Sequence, residues 1–183
     1  MPTVILRPTS TTSQTGWSAD PYPNAADDNT LTSVVQNNIT CNWTAVLGDL
    51  DSGLSGATIN SFTISANGKA GRAGACNAVL SLIHSSDGAF AAETEHWTGT
   101  QNTQTTTART TQQDGSSALT YTYINNCSVK IDPNTQGITL YELFVTVDYT
   151  PAGYGNTVNG VAAANIGKVN GVATASISKV NGI

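Results

Sequence analysis

Two histidines and a short acidic run are the side chains with the clearest chemical capacity in this sequence. Glu93, Glu95 and His96 fall within four residues, and carboxylates and imidazoles are common ligands of transition metals. Side chains alternate between the two faces of a β-strand, however, so both glutamates would share one face while His96 occupied the other. With His84 as the other histidine of the chain, we predict neither a metal nor another cofactor.

Covalent and acid–base catalysis are not indicated either. The sequence has no G-x-S-x-G motif and no cysteine beside a histidine, the arrangements that supply an activated nucleophile. Glycoside hydrolysis needs two facing carboxylates at a matched separation, and nothing singles out such a pair among the 12 acidic residues. We therefore expect that the protein is not an enzyme.

Cys41, Cys76 and Cys127 are isolated in the sequence, with no C-x-x-C pair of the kind that binds a metal. Each lies in a stretch where apolar residues alternate with polar ones, which is the pattern of a strand with one buried face. We predict that all three are reduced residues of the core. This agrees with synthesis in a reducing cytoplasm.

Three aromatic residues are candidates for surface recognition: Trp17, Tyr22 and Trp97. Trp17 and Tyr22 lie in a long polar segment, residues 8–30, that also carries prolines and aspartates. Exposed aromatic rings in such a setting stack on sugars or dock on a partner. A groove lined by all three residues would indicate a glycan-binding module, whereas the alternative is that Trp17 closes one end of the core.

The last 26 residues contain an eleven-residue repeat. Residues 158–168 read VNGVAAANIGK, residues 169–179 read VNGVATASISK, and a third copy stops at VNGI. A short regular period presents the same surface several times, which serves assembly rather than catalysis. We predict that the apolar residues of this tail anchor the protein to other subunits; they are Val158, Val161, Ile166, Val169, Val172, Ile177, Val180 and Ile183.

Several conformations are open for the tail. A helix would gather the apolar positions in one stripe, but Gly160, Gly167 and Gly171 would each cost about 1 kcal/mol in its interior. The recurring Asn-Gly pairs favour strands joined by tight hairpin turns, although the runs between the turns are not cleanly amphipathic. The tail would otherwise be an arm ordered on neighbouring subunits or a disordered low-complexity segment. We favour an arm or an added strand over the helix.

The composition is typical of an all-β protein. Only 10% of the residues are charged, and Thr, Ser, Asn and Gln are abundant, which gives a neutral surface around a β-branched interior. The net charge of -5 and the lack of a Lys/Arg cluster argue against a nucleic-acid partner. No apolar stretch would span a bilayer or serve as a signal peptide, so we expect no membrane partner and no secretion.

Alternating apolar residues predict eight to ten strands. The clearest covers residues 138–150, and residues 119–124 are predicted as another. Turns are expected at Asn67-Gly68 and Asp87-Gly88, a bulge near Asn60, and edge strands or a protruding loop over residues 93–111.

The expected fold class is all-β, an antiparallel β-sandwich of the jelly-roll kind with a C-terminal repeat extension. The sandwich would span residues 1–150 and include the polar segment 8–30 as a long loop. Residues 151–157 would form a linker, and residues 158–183 the tail for assembly and anchoring.

Three stretches together resemble structural proteins of tailed bacteriophages: LRPTSTTSQTGWS near the start, the strand LFVTVDY, and the VNGVA repeats with their IxKVNG junctions. Such proteins are small β-sandwich components of the virion, attached to the capsid or the tail. The resemblance implies assembly in a bacterial cytoplasm.

The resulting expectation is a capsid decoration protein of the cement or head-fibre kind. It would form a homotrimer and attach through the repeats to the major capsid protein or another virion protein. A tail or fibre component is the second expectation. A glycan-binding adhesin or receptor-binding module, with a host surface glycan as ligand, is the alternative from another class.

Overall fold

The computed structural model describes residues 2–37, 41–71, 74–135 and 137–152, and the backbone of residues 168–169 and 172–173. Two antiparallel sheets of five strands enclose one hydrophobic core. Sheet A contains, in spatial order, β1 (Thr3–Leu6), β10 (Ile138–Thr150), β5 (Thr58–Ala70) and β8 (Asn102–Thr105), with β3 (Val34–Val35) also paired to β10. Sheet B contains β2 (Pro8–Thr15), β4 (Asn42–Leu47), β9 (Cys127–Pro133), β6 (Cys76–His84) and β7 (Gly88–Trp97).

Connections between successive strands of the sandwich pass from one sheet to the other, except for the hairpin that joins β6 to β7. The order β1-β10-β5-β8 faces the order β4-β9-β6-β7, and β2 is added beside β4. This is the arrangement of an eight-stranded jelly roll built from two Greek keys. The predicted fold class is therefore confirmed.

Strand β10 shows how the sequence places the core. Leu143, Val145 and Val147 are fully buried, and the residues between them are more exposed, as the alternation predicts. β10 pairs with β1 and β3 along one edge and with β5 along the other. Across the core, Trp43 and Ile131 of sheet B are also fully buried. Burial of each large apolar side chain contributes about 1.5–3 kcal/mol to folding.

The bulge predicted near Asn60 is present in β5. Ser61 and Ile59 pair with consecutive residues of β10, Asp148 and Tyr149, so Asn60 is an extra residue in its strand. The Asn60 side-chain amide donates a hydrogen bond to Asp148 Oδ1 at 3.3 Å. This hydrogen bond joins the bulge in β5 to the end of β10, after which the chain continues into the tail.

The turn predicted at Asn67-Gly68 is wrong. β5 runs on to Ala70, and Gly68 pairs with β10 on one side and β8 on the other. A Cβ atom on Gly68 would lie 3.1 Å from Trp97 Nε1 and 3.2 Å from Thr139 O. The glycine is required here because the fully buried Trp97 indole packs directly on the backbone.

The long loop predicted over residues 8–30 is wrong in its first part. Pro8–Thr15 forms β2, which pairs with β4 at the edge of sheet B and lies near α1 (Pro21–Asn24). Most residues of β2 are exposed on both faces, so no apolar alternation marks the strand. Thr11 nevertheless supports the core, because its Oγ1 accepts a hydrogen bond from Trp43 Nε1 at 3.0 Å.

The strand predicted over residues 119–124 is wrong, because most of this segment belongs to α2 (Tyr121–Asn125). Thr120 caps this short helix, and its Oγ1 accepts a hydrogen bond from Tyr123 N at 3.1 Å. Threonine and tyrosine favour strands in isolation, but the cap and the burial of Tyr123 and Ile124 decide the local structure. No helix among the described residues has the length and apolar character needed to cross a membrane.

The edges of the two sheets differ in how they are protected. At the β7 edge, Ala91 adopts φ 52° in a bulge, and Glu93 Oε2 accepts a hydrogen bond from Thr107 N at 2.7 Å, which holds the following segment beside the strand. β8 has only four residues, and β2 carries two register shifts. Bulges and short strands are common defences against edge-to-edge pairing. β7 and β8 agree with the edge strands expected within residues 93–111.

Two ion pairs of Arg7 fasten the segment after β2 to sheet A, one with a buried glutamate and one with an exposed aspartate. Arg7 lies between β1 and β2, and its Nη1 donates to Glu142 Oε1 at 3.1 Å while its Nη2 pairs with Asp28. Glu142 is 7% exposed. The guanidinium also lies over the ring of Phe144, with 5.3 Å between Cζ and the ring centroid. The Arg7 side chain therefore links sheet A to the loop that contains Asp28.

Candidate functional site

The repeat tail forms paired strands at the one place where the structure describes it. β11 (Lys168–Val169) and β12 (Val172–Ala173) are antiparallel, with Val169 opposite Val172. Two residues, Asn170 and Gly171, separate them in sequence, as expected for the hairpin that the Asn-Gly pair predicts. The other predicted anchor residues lie outside the described residues: Val158, Val161, Ile166, Ile177, Val180 and Ile183.

The tail leaves the sandwich beside the first strand of sheet A. β10 ends at Thr150, which pairs with Thr58 at the start of β5. On the opposite side of β10, Tyr149 N donates to Pro2 O at 3.1 Å, and Asp148 pairs with Thr3. The predicted linker therefore starts at the end of sheet A where β1 also starts.

The structure does not form the aromatic groove predicted from Trp17, Tyr22 and Trp97. Trp17 is 7% exposed, and its Nε1 donates to Asn42 O at 3.0 Å, so it closes the core as the alternative held. Trp97 is fully buried, since strand alternation turns it inward beside the exposed His96. Tyr22 is half-buried against the core. The prediction that these three rings line an exposed groove is therefore wrong.

A polar cleft of about 470 Å³ lies elsewhere on the surface, lined by Asp87, Gln112, Gln113 and Asp114. Asp87 belongs to the β6–β7 turn, which ends at Gly88 with φ 84° as predicted for an Asp-Gly turn. Carboxylates and amides in one concave surface can donate to and accept from the hydroxyl groups of a polar ligand.

The carboxylates of the cleft are held by short local networks. Asp114 accepts hydrogen bonds from the Ser117 hydroxyl and from the backbone N–H groups of Ser116 and Ser117, which lower its pKa to about 2. Asp87 accepts from the Ser86 hydroxyl at 2.8 Å, and its Oδ2 lies 3.2 Å from His84 Nδ1. Both carboxylates therefore have fixed positions at the rim.

An aromatic stack contacts two of the residues that line the cleft, Asp87 and Gln113. The His84 and Tyr123 rings are parallel, with 4.0 Å between their centroids, and Phe90 meets Tyr123 edge-on at 5.6 Å. Tyr123 OH accepts a hydrogen bond from Gln113 N at 3.2 Å, and burial raises the pKa of Tyr123. The stack is too buried to touch a ligand, so its role is to position the rim.

The cleft lies at the end of the sandwich from which the tail leaves. Phe62, close to the start of β5, contacts Phe90, close to the start of β7, with 5.8 Å between the ring centroids. The start of β5 also pairs with Thr150 at the end of β10. Sequence reasoning identified the Asp87-Gly88 turn but not the cleft, because Gln112–Asp114 lie in a uniformly polar run and reach the turn only through the fold.

The acidic run beside His96 is engaged in contacts within the chain. Glu93 binds Thr107 N and lies 3.7 Å from Arg109 Nη2. His96 Nδ1 interacts with Asn77 Oδ1 on the neighbouring strand. Burial, and secondarily the nearby Glu93, raises the pKa of Glu95. Within the described ranges, no three His, Cys, Asp or Glu side chains are grouped closely enough to hold a metal ion.

The three cysteines are free thiols buried in the core, as predicted. Burial raises the pKa of Cys41 and of Cys127 to about 12 and also raises the pKa of Cys76. Cys127 donates a hydrogen bond from Sγ to Tyr123 O at 3.3 Å. These thiols are therefore structural and poorly reactive at neutral pH.

No family model and no curated protein sequence matches this chain. Among solved structures, the chain is similar to the C-terminal CBM6 of LamC, a marine laminarinase from Zobellia galactanivorans. The TM-score is 0.45 at 11% sequence identity, and the match covers 80% of this chain and 98% of that chain. A similarity of this extent carries no argument about a ligand.

Proposed function

We propose that this protein is a non-enzymatic structural component of a phage virion, a capsid decoration protein held in place by its C-terminal repeats. The observation that carries the proposal is the antiparallel pairing of Val169 with Val172 in the tail. The same V-N-G-V sequence stands at residues 158–161, and VNGI follows at 180–183. A hairpin at one unit gives each related unit the means to form a similar adhesive element.

Repetition suits attachment to a lattice. A capsid offers the same binding surface many times, and linked weak contacts add through a high effective concentration. The jelly roll serves as the body, although this fold is shared by capsid proteins and lectins and does not choose between them. In this proposal the partners are other copies of the chain, as a homotrimer, and the major capsid protein. A tail or fibre component would use the repeats in the same way.

Removal of the tail tests the proposal. A chain ending at Thr150 keeps all ten strands of the two sheets, so we expect an unchanged far-UV circular dichroism spectrum. We also expect that it no longer cosediments with phage heads assembled without the protein, whereas the full chain does. Normal incorporation of the shortened chain would show that the repeats are not the anchor.

Point variants supply a matched control for the deletion. In the full chain, Val169→Ser with Val172→Ser should weaken cosedimentation about as much as loss of one whole repeat. Thr174→Ser with Ser178→Thr alters the same unit without changing its apolar residues and should leave cosedimentation unchanged. An equal loss of cosedimentation in both double variants would indicate a general effect of altering the tail, not the loss of valine burial.

A second candidate function is glycan binding at the polar cleft. The observation in its favour is the convergence of two carboxylates and two amides, Asp87, Asp114, Gln112 and Gln113, on one concave surface. Sugar hydroxyls pair well with such groups. Because Trp17 and Trp97 are buried, this site would bind through hydrogen bonds rather than through ring stacking.

A glycan array followed by titration of any positive sugar tests this second function. Gln113→Ala removes an amide whose internal bond to Ala89 O is long, 3.4 Å, and should weaken binding about tenfold, the loss of a hydrogen bond or two. Asp132→Asn, at a surface carboxylate paired with Lys130 in β9, is the matched control and should bind normally. An array without signal, or equal affinity in both variants, would remove the cleft from consideration.

A further inference from the structure

We propose that the free edge of β1 is a docking site for the repeat tail of a second copy of this chain, which adds to sheet A as an extra strand. The inference rests on the proposed function, since it takes the tail to be the adhesive segment. One repeat would occupy the outer edge of β1.

The hydrogen-bonding pattern shows which groups of β1 are available. Tyr149 N donates to Pro2 O, so Pro2 belongs to a hydrogen-bonded pair with β10. Hydrogen-bonded and non-hydrogen-bonded pairs alternate along an antiparallel ladder. The backbone N–H and C=O groups of Thr3 and Ile5 therefore face away from β10, and among the described residues β1 is the last strand of sheet A on that side.

The side chains of β1 make this edge apolar on both faces. Ile5 is 51% exposed, and Val4 on the opposite face is half-buried against the core. The β2 edge, by contrast, carries two register shifts and mostly polar side chains, and the β7 edge is bulged and held by Glu93. β1 combines open backbone groups with apolar side chains, the features that accept an added strand.

The tail matches this edge in composition. Its runs between Asn-Gly pairs carry valine, alanine and isoleucine on both faces, which does not suit a strand with one wet face. On the edge of β1, one face of an added strand meets Ile5 and the other meets Val4. Main-chain hydrogen bonds would supply affinity, and side-chain contacts on the two faces would fix the register of the added strand against β1.

The number of repeats and the length of the tail favour docking on β1 of a second copy over docking on β1 of the same molecule. The tail follows β10 after a short linker, and the end of β10 lies next to the start of β1. Extended, residues 158–183 would reach about 85 Å, far more than β1 in the same molecule requires. Two full repeats would compete for one such edge, whereas edges on other copies give each repeat a site.

Amide hydrogen exchange on the full chain tests the inference without any variant. At about 1 mM, exchange of the Ile5 amide should be at least about tenfold slower than at about 10 µM, because mass action fills the edge. Slow exchange at both concentrations in protein that light scattering shows to be monomeric would mean that the molecule's own tail covers β1. Fast exchange at both would mean that nothing docks there. Either result overturns the proposal.

Ile5→Pro in the full chain is the complementary variant. It removes an outward N–H without removing a bond to β10, a position that tolerates proline on an edge strand, and near-UV circular dichroism confirms that it folds. We expect a smaller average mass in light scattering than for the matched control Ile5→Val, which keeps the N–H. A folded proline variant that associates normally would overturn the β1 site alone, whereas normal incorporation of the chain ending at Thr150 would overturn the proposed function itself.

Discussion

Replacing Arg7 with methionine is expected to lower the free energy of unfolding by about 3 kcal/mol, because it leaves a buried carboxylate without its partner. Glu142 is 7% exposed, and its ion pair in the structure is with Arg7 Nη1 at 3.1 Å. Methionine keeps an unbranched apolar stem beside Phe144, so the loss reports mainly on charge. Urea denaturation followed by tryptophan fluorescence measures it, since Trp17, Trp43 and Trp97 are all buried.

A double variant separates this charge effect from packing. Arg7→Met combined with Glu142→Met removes both charges and should recover most of the loss, since paired apolar replacements of buried ion pairs are often neutral. If the double variant were as unstable as Arg7→Met, the guanidinium would act through its contacts with Asp28 and Phe144 instead. If Arg7→Met alone cost less than about 1 kcal/mol, Glu142 would be effectively solvated.

Stability should fall steeply in alkaline solution, beginning near pH 9. Burial raises the pKa of Cys41 and Cys127 from 9.0 to about 12, so in this range the folded state binds protons that the unfolded state has lost. By linkage, the stabilisation is complete below about pH 9 and is lost progressively up to about pH 12, by as much as about 1.4 kcal/mol per pH unit for each thiol.

The combined variant Cys41→Ala with Cys127→Ala isolates this contribution. Its stability should have a shallower slope between about pH 9 and pH 11 than the wild type, although its stability at neutral pH is lower because of the lost side-chain volume. Thermal unfolding at a series of pH values, compared between the two proteins, gives both slopes. Parallel curves would show that tyrosines and lysines, not the thiols, govern alkaline unfolding.

The fold was predictable wherever one face of a strand is buried. In β10 and β9 the alternation of apolar and polar residues follows directly from the core. In β5 the bulge at Asn60 shows as a break in the alternation between Ile59 and Phe62. The number of such strands and the turns between them indicate a sandwich without any knowledge of long-range contacts. These features depend on residues close together in the sequence, which is why pattern alone identifies them.

The mistaken predictions concern residues whose role is set by distant contacts. Strand β2 has no buried face of its own, and Gly68 is needed because Trp97 packs on it from another strand. Thr120 acts as a helix cap only because the residues after it turn inward. In each case local propensity is overridden by tertiary structure.

The candidate sites divide in the same way. The repeats were found from the sequence because their period is explicit, and the pairing of Val169 with Val172 is a local hairpin. The cleft was not found, because Asp87 and Gln113 are separated along the chain and meet through the stacking of His84 on Tyr123. The aromatic groove failed because tryptophan in a strand with one buried face is most stable inside.

The cleft lies at the same end of the sandwich as the start of the tail, and this position bears on whether one copy can perform both candidate functions. If the repeats held the body directly against the surface of the particle, Asp87 and Asp114 would face that surface, and the opposite end of the sandwich, with Gly99 and Asn134, would face the medium. Attachment through the tail and glycan binding at the cleft would then be mutually exclusive in any single copy. A particle that needed both would have to assign them to different copies.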